Sequence, residues 1–250
     1  MHFCTMSQVT IIQLATPNID EYAQYSTASA REYAMDHGYH LFVQRSRTIQ
    51  DLHINWTKID ILKTALSNMP QDEDSYVVLL DADTIIMQPD RTMDYFIDKY
   101  GKSDTAIFFA ADTPFSLKAK KKPNAGFVIV RNNEIGRNII NRWLEAAYTD
   151  GKKYNDTHPR NQLVYWNCVE PEYQSVQVVL PKSYFHKPLW WVPKPFKTNE
   201  FLYHITSTNI ETRTLQMKKF YEQACADCLT NLKETTNILS QASEGLLKLC

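Results

Sequence analysis

Two acids separated by one residue close an apolar run: VVLLDADTII, residues 77 to 86, places Asp81 and Asp83 behind a stretch of valines and leucines. Two carboxylates brought together at a strand end repel each other unless a cation or a positive ligand offsets the cost. In an extended segment residues two apart face the same way, so both acids point to one spot while Ala82 points elsewhere. Carboxylate oxygens suit the hard ions magnesium and manganese, and octahedral coordination keeps positions open for phosphate oxygens and one more side chain. The competing reading has one Asp capping the following turn and the other solvated. The glycines bear on the choice. The chain has six, at 38, 101, 126, 136, 151 and 245, and they form neither G-x-G-x-x-G nor G-x-x-x-x-G-K. A nucleotide diphosphate bound here therefore needs a cation where other folds use a backbone nest, and an ion on Asp81 and Asp83 supplies it.

The elements that must carry these acids follow from periodicity. VTIIQLATP (9 to 17) reads as a buried strand ending in a turn, and residues 20 to 38 as a helix stopped by Gly38. YHLFVQR is a strand, WTKIDILKTALSNM a helix with Trp56, Ile59, Leu62 and Leu66 on one stripe, and SYVVLL a strand apolar on both faces. Three strands alternating with two helices imply a doubly wound parallel sheet, which binds ligands beyond the carboxyl ends of its strands. TAIFFAAD and NAGFVIVRN add two strands, and a helix with Trp143 and Leu144 on its apolar side comes next. FHKPLWWVPKPF holds three prolines and reads as an ordered loop. From about Asn209 onward Leu215, Phe220, Leu229, Leu232 and Leu239 recur at helical spacing. The expected division is a main domain over 1–208 and an extension of one or two helices over 209–250, packed on that domain or joining it to a partner.

Composition excludes other classes. A chain of 250 residues, 44% apolar and 22% charged, suffices for one substantial core. Its net charge of −1 shows no basic footprint for nucleic acid. The five cysteines, Cys4, Cys168, Cys225, Cys228 and Cys250, lack disulfide-scaffold spacing and read as mostly reduced. No apolar stretch has the length of a membrane span or leader, so a soluble cytoplasmic protein is expected, or a trimmed Golgi-type one.

The order of the motifs resembles a GT-A fold glycosyltransferase, in particular the family of plant xyloglucan xylosyltransferases and fungal galactosyl- and mannosyltransferases. REYAMDHGYHLFV, WTKIDILKTAL, VVLLDADTIIMQP, NAGFVIVRNN, PRNQLVYW and a late YHIT occur in the family's order over about residues 9 to 206. The resemblance implies an α/β GT-A architecture, a Rossmann-like, mostly parallel central sheet flanked by helices, with C-terminal helices. It also implies a metal-dependent transferase that passes a sugar from a uridine diphosphate donor to a glycan acceptor and keeps the sugar's configuration. By that analogy Asp81, Asp83 and His204 hold manganese or magnesium, with Asp81 also near the ribose. Thr16 meets the uracil or ribose, and Lys58 lies near the nucleotide. Asn124, Ala125 and Gly126 lie against the donor sugar, and Gln162 faces its anomeric carbon. Asp112 binds sugar hydroxyls, or acts as the base if the enzyme inverts. Without the resemblance, His204 reads as a core histidine, Lys58 as a solvated helix charge, and Asp112 and Asn124 as turn formers.

The chain departs from the family in two places. Arg160 and Asn161 precede Gln162 where acidic residues are usual, and the glycine and lysine that usually come after the late histidine are missing from HITSTN. Lys118 to Pro123 (KAKKKP) reads as a solvated loop or a lid over the phosphates, and Trp190 and Trp191 as core or as a sugar platform. Two rival functions share the D-x-D pattern. A haloacid-dehalogenase-type phosphatase would carry it on its first strand, and a calcium-dependent sugar-binding protein would not require the preceding parallel sheet.

Overall fold

The computed structural model describes residues 7–112, 122–186, 200–206, 209–225, 228–242 and 244–250. Strand β1 (Gln8–Leu14) is buried from Val9 onward, as a central strand covered on both faces must be. Helix α1 (Asp20–His37) ends at Gly38, whose φ of 66° is left-handed and open to glycine without a Cβ penalty. Strand β2 (His40–Gln44), helix α2 (Thr57–Asn68) and strand β3 (Ser75–Asp81) complete the first unit, with β2 and β3 parallel to β1 on either side. Trp56, Ile59, Leu62 and Leu66 are all buried, so the α2 stripe packs on the sheet.

Next come β4 (Thr84–Ile86), α3 (Met93–Tyr100), β5 (Ile107–Ala111), β6 (Pro123–Arg131) and α4 (Glu134–Ala146). After α5 (Asn161–Val164) a π-helical turn, Tyr165–Val169, leads into α6 (Glu170–Tyr173). The remaining elements are β7 (Gln177–Val179), β8 (Phe185–His186), β9 (Leu202–His204), α7 (Ile210–Ala224), α8 (Cys228–Ser240) and β10 (Leu246–Lys248).

Seven strands form the main sheet in the order β10-β2-β1-β3-β6-β5-β7, and β4, β9 and β8 form a small second sheet. The main sheet is mixed. β5 and β7 are parallel, but β6 runs antiparallel to both β3 and β5, and β10 antiparallel to β2. Burial of β6 on both faces hides this reversal from its sequence, since a continuous apolar run reads alike in either direction.

One core lies on the side of α1, α3, α7 and α8, and includes Tyr33, Phe96, Phe201 and Tyr221. The other lies under α2, α4 and the segment around Tyr165, centred on Trp56 and Trp143. The extension packs on α1, though not by all the residues expected. Met217, Tyr221 and Leu239 are buried, whereas Leu215 and Leu229 are 62% and 76% exposed, because α1 covers only one side of these helices. Trp190, Trp191, Cys4, the Cys228 side chain and all of KAKKKP except Lys122 and Pro123 lie outside the described residues. Among the described residues no helix is long and apolar enough to cross a membrane.

Candidate active site

Asp81 is the last residue of β3, and Ala82 and Asp83 form a turn into β4. The two carboxylates therefore meet across a tight turn, not by strand alternation. A hydrogen-bonded frame holds that turn. Asp81 O accepts from Thr84 Oγ1 at 2.7 Å, from Ser26 Oγ at 3.3 Å and from Gln13 Nε2 at 3.4 Å. Asp83 O accepts from Ile205 N at 2.8 Å. Gln13, fully buried in β1, also donates to Ser26 Oγ at 2.8 Å and accepts from Thr27 Oγ1 at 2.6 Å. Ser29 Oγ accepts from Ile86 N at 3.0 Å, which fixes β4 beside α1.

Pairing of β4 with β9 sets Thr84 opposite His204. His204 Nε2 then lies 3.1 Å from Asp83 Oδ1 and 3.7 Å from Asp81 Oδ2. Ligand atoms of Asp81, Asp83 and His204 all fall within 4.8 Å of one another, and the three side chains are 15–17% exposed. Two carboxylates and an imidazole at that spacing, reachable from solvent, fit a divalent ion. Lys58, in the first turn of α2, donates to Asp81 Oδ1 at 2.6 Å and leaves Oδ2 on the His204 side. Burial would raise the Asp83 carboxyl, but His204, Arg213 and Lys58 outweigh it and hold it below the usual carboxylate range.

A second group adjoins the first through β6. Gln162 Oε1 accepts from Ala125 N at 2.8 Å, and its Nε2 donates to Asp112 Oδ2 at 2.8 Å. Its amide is thus fixed, with one lone pair of the oxygen already used. Asn124 is a buried strand residue of β6 whose Oδ1 accepts from Gly126 N at 2.9 Å. Gly126 lies under the His204 ring: a Cβ there would meet Nδ1 at 2.8 Å and Cε1 more closely still. Contacts therefore link the two groups, from Asp83 and His204 through Gly126 and Ala125 to Gln162 and Asp112.

Thr16 sits in the turn after β1, its Oγ1 donating to Asn18 Oδ1 at 2.7 Å. Arg45 braces this turn from below. Its buried guanidinium donates to both Asp20 oxygens at 2.7 Å, to Ala15 O, and to Ala242 O at 3.1 Å. Sequence reasoning missed Gln13, the α1 hydroxyls and Arg45. Their one signal was polarity at buried positions, the run Ser26, Thr27 and Ser29 where a helix face should be apolar.

A mixed sheet with an acid pair at the end of its central strand, closed by a late histidine, has the architecture of the GT-A glycosyltransferases. Residues 5–108 match the galactosyl transferase GMA12/MNN10 family. An alpha-1,2-galactosyltransferase of Schizosaccharomyces pombe (strain 972 / ATCC 24843) is 27% identical over 164 residues, 54% of this chain and 43% of the relative. Glycosyltransferase 6 of Arabidopsis thaliana is 22% identical over 172 residues, 68% of this chain and 38% of the relative. The chain thus corresponds to less than half the length of either. Among solved structures, a glycosyltransferase involved in the glycosylation of the major capsid of PBCV-1 superposes with a TM-score of 0.65 at 16% identity, covering 85% of this chain and 99% of that one. The galactosyltransferase LgtC gives 0.53 at 12%, covering 86% and 95%. At these identities the likeness to solved structures is one of fold.

Proposed function

We propose that this chain is a metal-dependent glycosyltransferase that moves a sugar from a uridine diphosphate sugar to a glycan acceptor and retains its configuration. The observation that carries the reading is the grouping of Asp81, Asp83 and His204 at the carboxyl end of β3. Hard carboxylate oxygens with one imidazole favour manganese, with magnesium as the alternative. Such an ion supplies Lewis-acid stabilisation of the charge that develops on a departing diphosphate.

The chain's own residues supply the rest. Lys58 holds one oxygen of Asp81, which fixes the carboxylate's plane and directs Oδ2 towards Asp83 and His204. The Thr16 turn offers a polar edge to the base or ribose. Gln162 is oriented by Ala125 and Asp112, so its remaining acceptor position has one direction. An amide is no base at neutral pH, so a glutamine at the anomeric face suits attack from the side the leaving group vacates. The hydrogen bond to Gln162 occupies one Asp112 oxygen, which favours a positioning part for Asp112 over proton abstraction.

The test is a panel of nucleotide sugars with manganese, read as nucleoside diphosphate release with and without an acceptor mixture. Release should be greatest with a uridine donor, stop with a chelator and be lost in Asp83→Asn. Undiminished release in Asp83→Asn would refute the metal reading. Proton NMR coupling at the new anomeric centre, compared with the donor's, decides retention.

A further inference from the structure

A cation with no partner stands two residues before Gln162. Pro159 to Gln162 form a tight turn, closed by Gln162 N donating to Pro159 O at 3.3 Å. Arg160 takes the second position of that turn at φ 53° and ψ −111°, the first central corner of a type II′ turn, where a side chain is strained and glycine is favoured. The residue is partly exposed, and among the described residues no hydrogen bond, ion pair or ring contact reaches its guanidinium. The acids of the site are engaged elsewhere. Asp81 takes Lys58 at 2.6 Å, Asp83 Oδ1 lies 3.1 Å from His204 Nε2, and Asp112 accepts from Gln162 at 2.8 Å. An arginine kept at a corner that favours glycine, with its charge unmatched, calls for a ligand that brings the opposite charge. We infer that Arg160 is a specificity-determining residue that binds a carboxylate on the sugar held at Gln162, in the donor or in the acceptor, an inference that rests on the nucleotide-sugar reading.

Contacts on both sides place the turn. Downstream, the Gln162 side chain joins Ala125 N and Asp112 Oδ2 at 2.8 Å each. Laterally, Asn161 Nδ2 comes to 3.5 Å from Asn55 O. Asn55 lies three residues before Lys58, whose Nζ meets Asp81. Arg160 therefore stands at the corner between the Gln162 amide and the entrance to α2, beside the place where the proposed function puts the transferred sugar. His53, in that same entrance, agrees with this placement: burial and, after it, the Arg160 charge hold its imidazole below the ordinary range.

A guanidinium offers two parallel N–H donors to a carboxylate and carries one charge, the match of a uronic acid. A phosphate monoester brings nearly two charges, and the donor's diphosphate belongs at the ion.

Calorimetry with manganese and three probes, UDP, UDP-glucose and UDP-glucuronate, tests the donor. UDP release with neutral or uronate-bearing oligosaccharides tests the acceptor. The wild type should favour the acidic sugar in one of the two arms by about 10–100-fold, the scale of a charged hydrogen bond, and the arm that responds names the source. Arg160→Gly should abolish that preference while UDP affinity is kept and Tm is no lower than wild type, since the corner favours glycine. Arg160→Lys should retain part of the preference. No preference in either arm, or a preference that survives in Arg160→Gly, overturns the assignment. A loss of UDP affinity in Arg160→Gly would give the charge to the diphosphate, and a fall in Tm there would make the residue structural; either overturns it as well. Absence of UDP binding to the wild type refutes the uridine-donor reading itself, and the inference falls with it.

Discussion

Substituting Gly126 by alanine tests the ion site without touching any ligand. The residue lies inside β6, and its φ is not in the left-handed region, so the backbone accepts alanine. The added Cβ would stand 2.8 Å from His204 Nδ1 and 2.9 Å from Asn124 Oδ1. Ordinary contact begins at about 3.5 Å, so relieving the Nδ1 contact alone moves the imidazole by about 0.7 Å, and the nearer Cε1 demands more. Metal sites tolerate about 0.2 Å, so His204 would be lost as a ligand or badly misaligned. Perturbing a ligand's support typically costs about 10–100-fold in ion affinity, and that is the expected loss for manganese in Gly126→Ala by titration calorimetry. Without ion, Tm should fall by no more than about 2–4 °C, equivalent to about 1 kcal/mol for a chain of this size. The rise in Tm that manganese produces in the wild type should shrink with the affinity. Manganese affinity equal to wild type in Gly126→Ala would mean that the ring does not coordinate from where it sits, and the three-ligand site would fall.

Replacing Gln13 with methionine keeps its volume but removes the acceptor of the buried Thr27 hydroxyl and the donor to Ser26 Oγ, so chemical denaturation should show a loss of about 2–4 kcal/mol at unchanged m-value. In ion-free protein the lowered Asp83 pKa contributes stability that is complete above about pH 4 and lost as pH falls through the folded value. Asp83→Asn should flatten that part of an acid-unfolding series, and an unaltered slope would count against the pairing with His204. On the proposed role of Gln162, Gln162→Ala should lower kcat with little change in UDP affinity, the pattern of an interaction made mainly in the transition state. If Asp112→Asn proves the more damaging change and the product is inverted, the base is Asp112.

What local pattern encodes was legible. Helices α1, α2 and α4 announced themselves through periodicity and, for α1, through Gly38, because these signals lie within a few residues of one another. The acid pair was legible as chemistry, but its geometry was not: the turn at Ala82 and Asp83 depends on β4 pairing with a strand more than a hundred residues later. Three-residue strands such as β4 and β9 carry too few side chains for a period to appear. His204 was reached through resemblance alone, since only the β4–β9 register distinguishes it from a core histidine. Gln13 reads as a defect in an apolar strand until Asp81 O is seen above it.

Arg45 joins residues made at very different times. Its partner Asp20 lies 25 positions earlier in the chain, while Ala242, which accepts from its Nε, lies 197 positions later. Strand β10, which covers the edge of β2, arrives with that same late segment. At about 5–20 residues per second, ribosomal synthesis separates Arg45 from Ala242 by roughly 10–40 s. For that interval the nascent sheet has an open edge at β2, and the brace beneath the Thr16 turn lacks its last contact. The order of the Thr16 turn should therefore be acquired late, as the final strand docks, and stalled chains ending before residue 242 should be the species that chaperones retain.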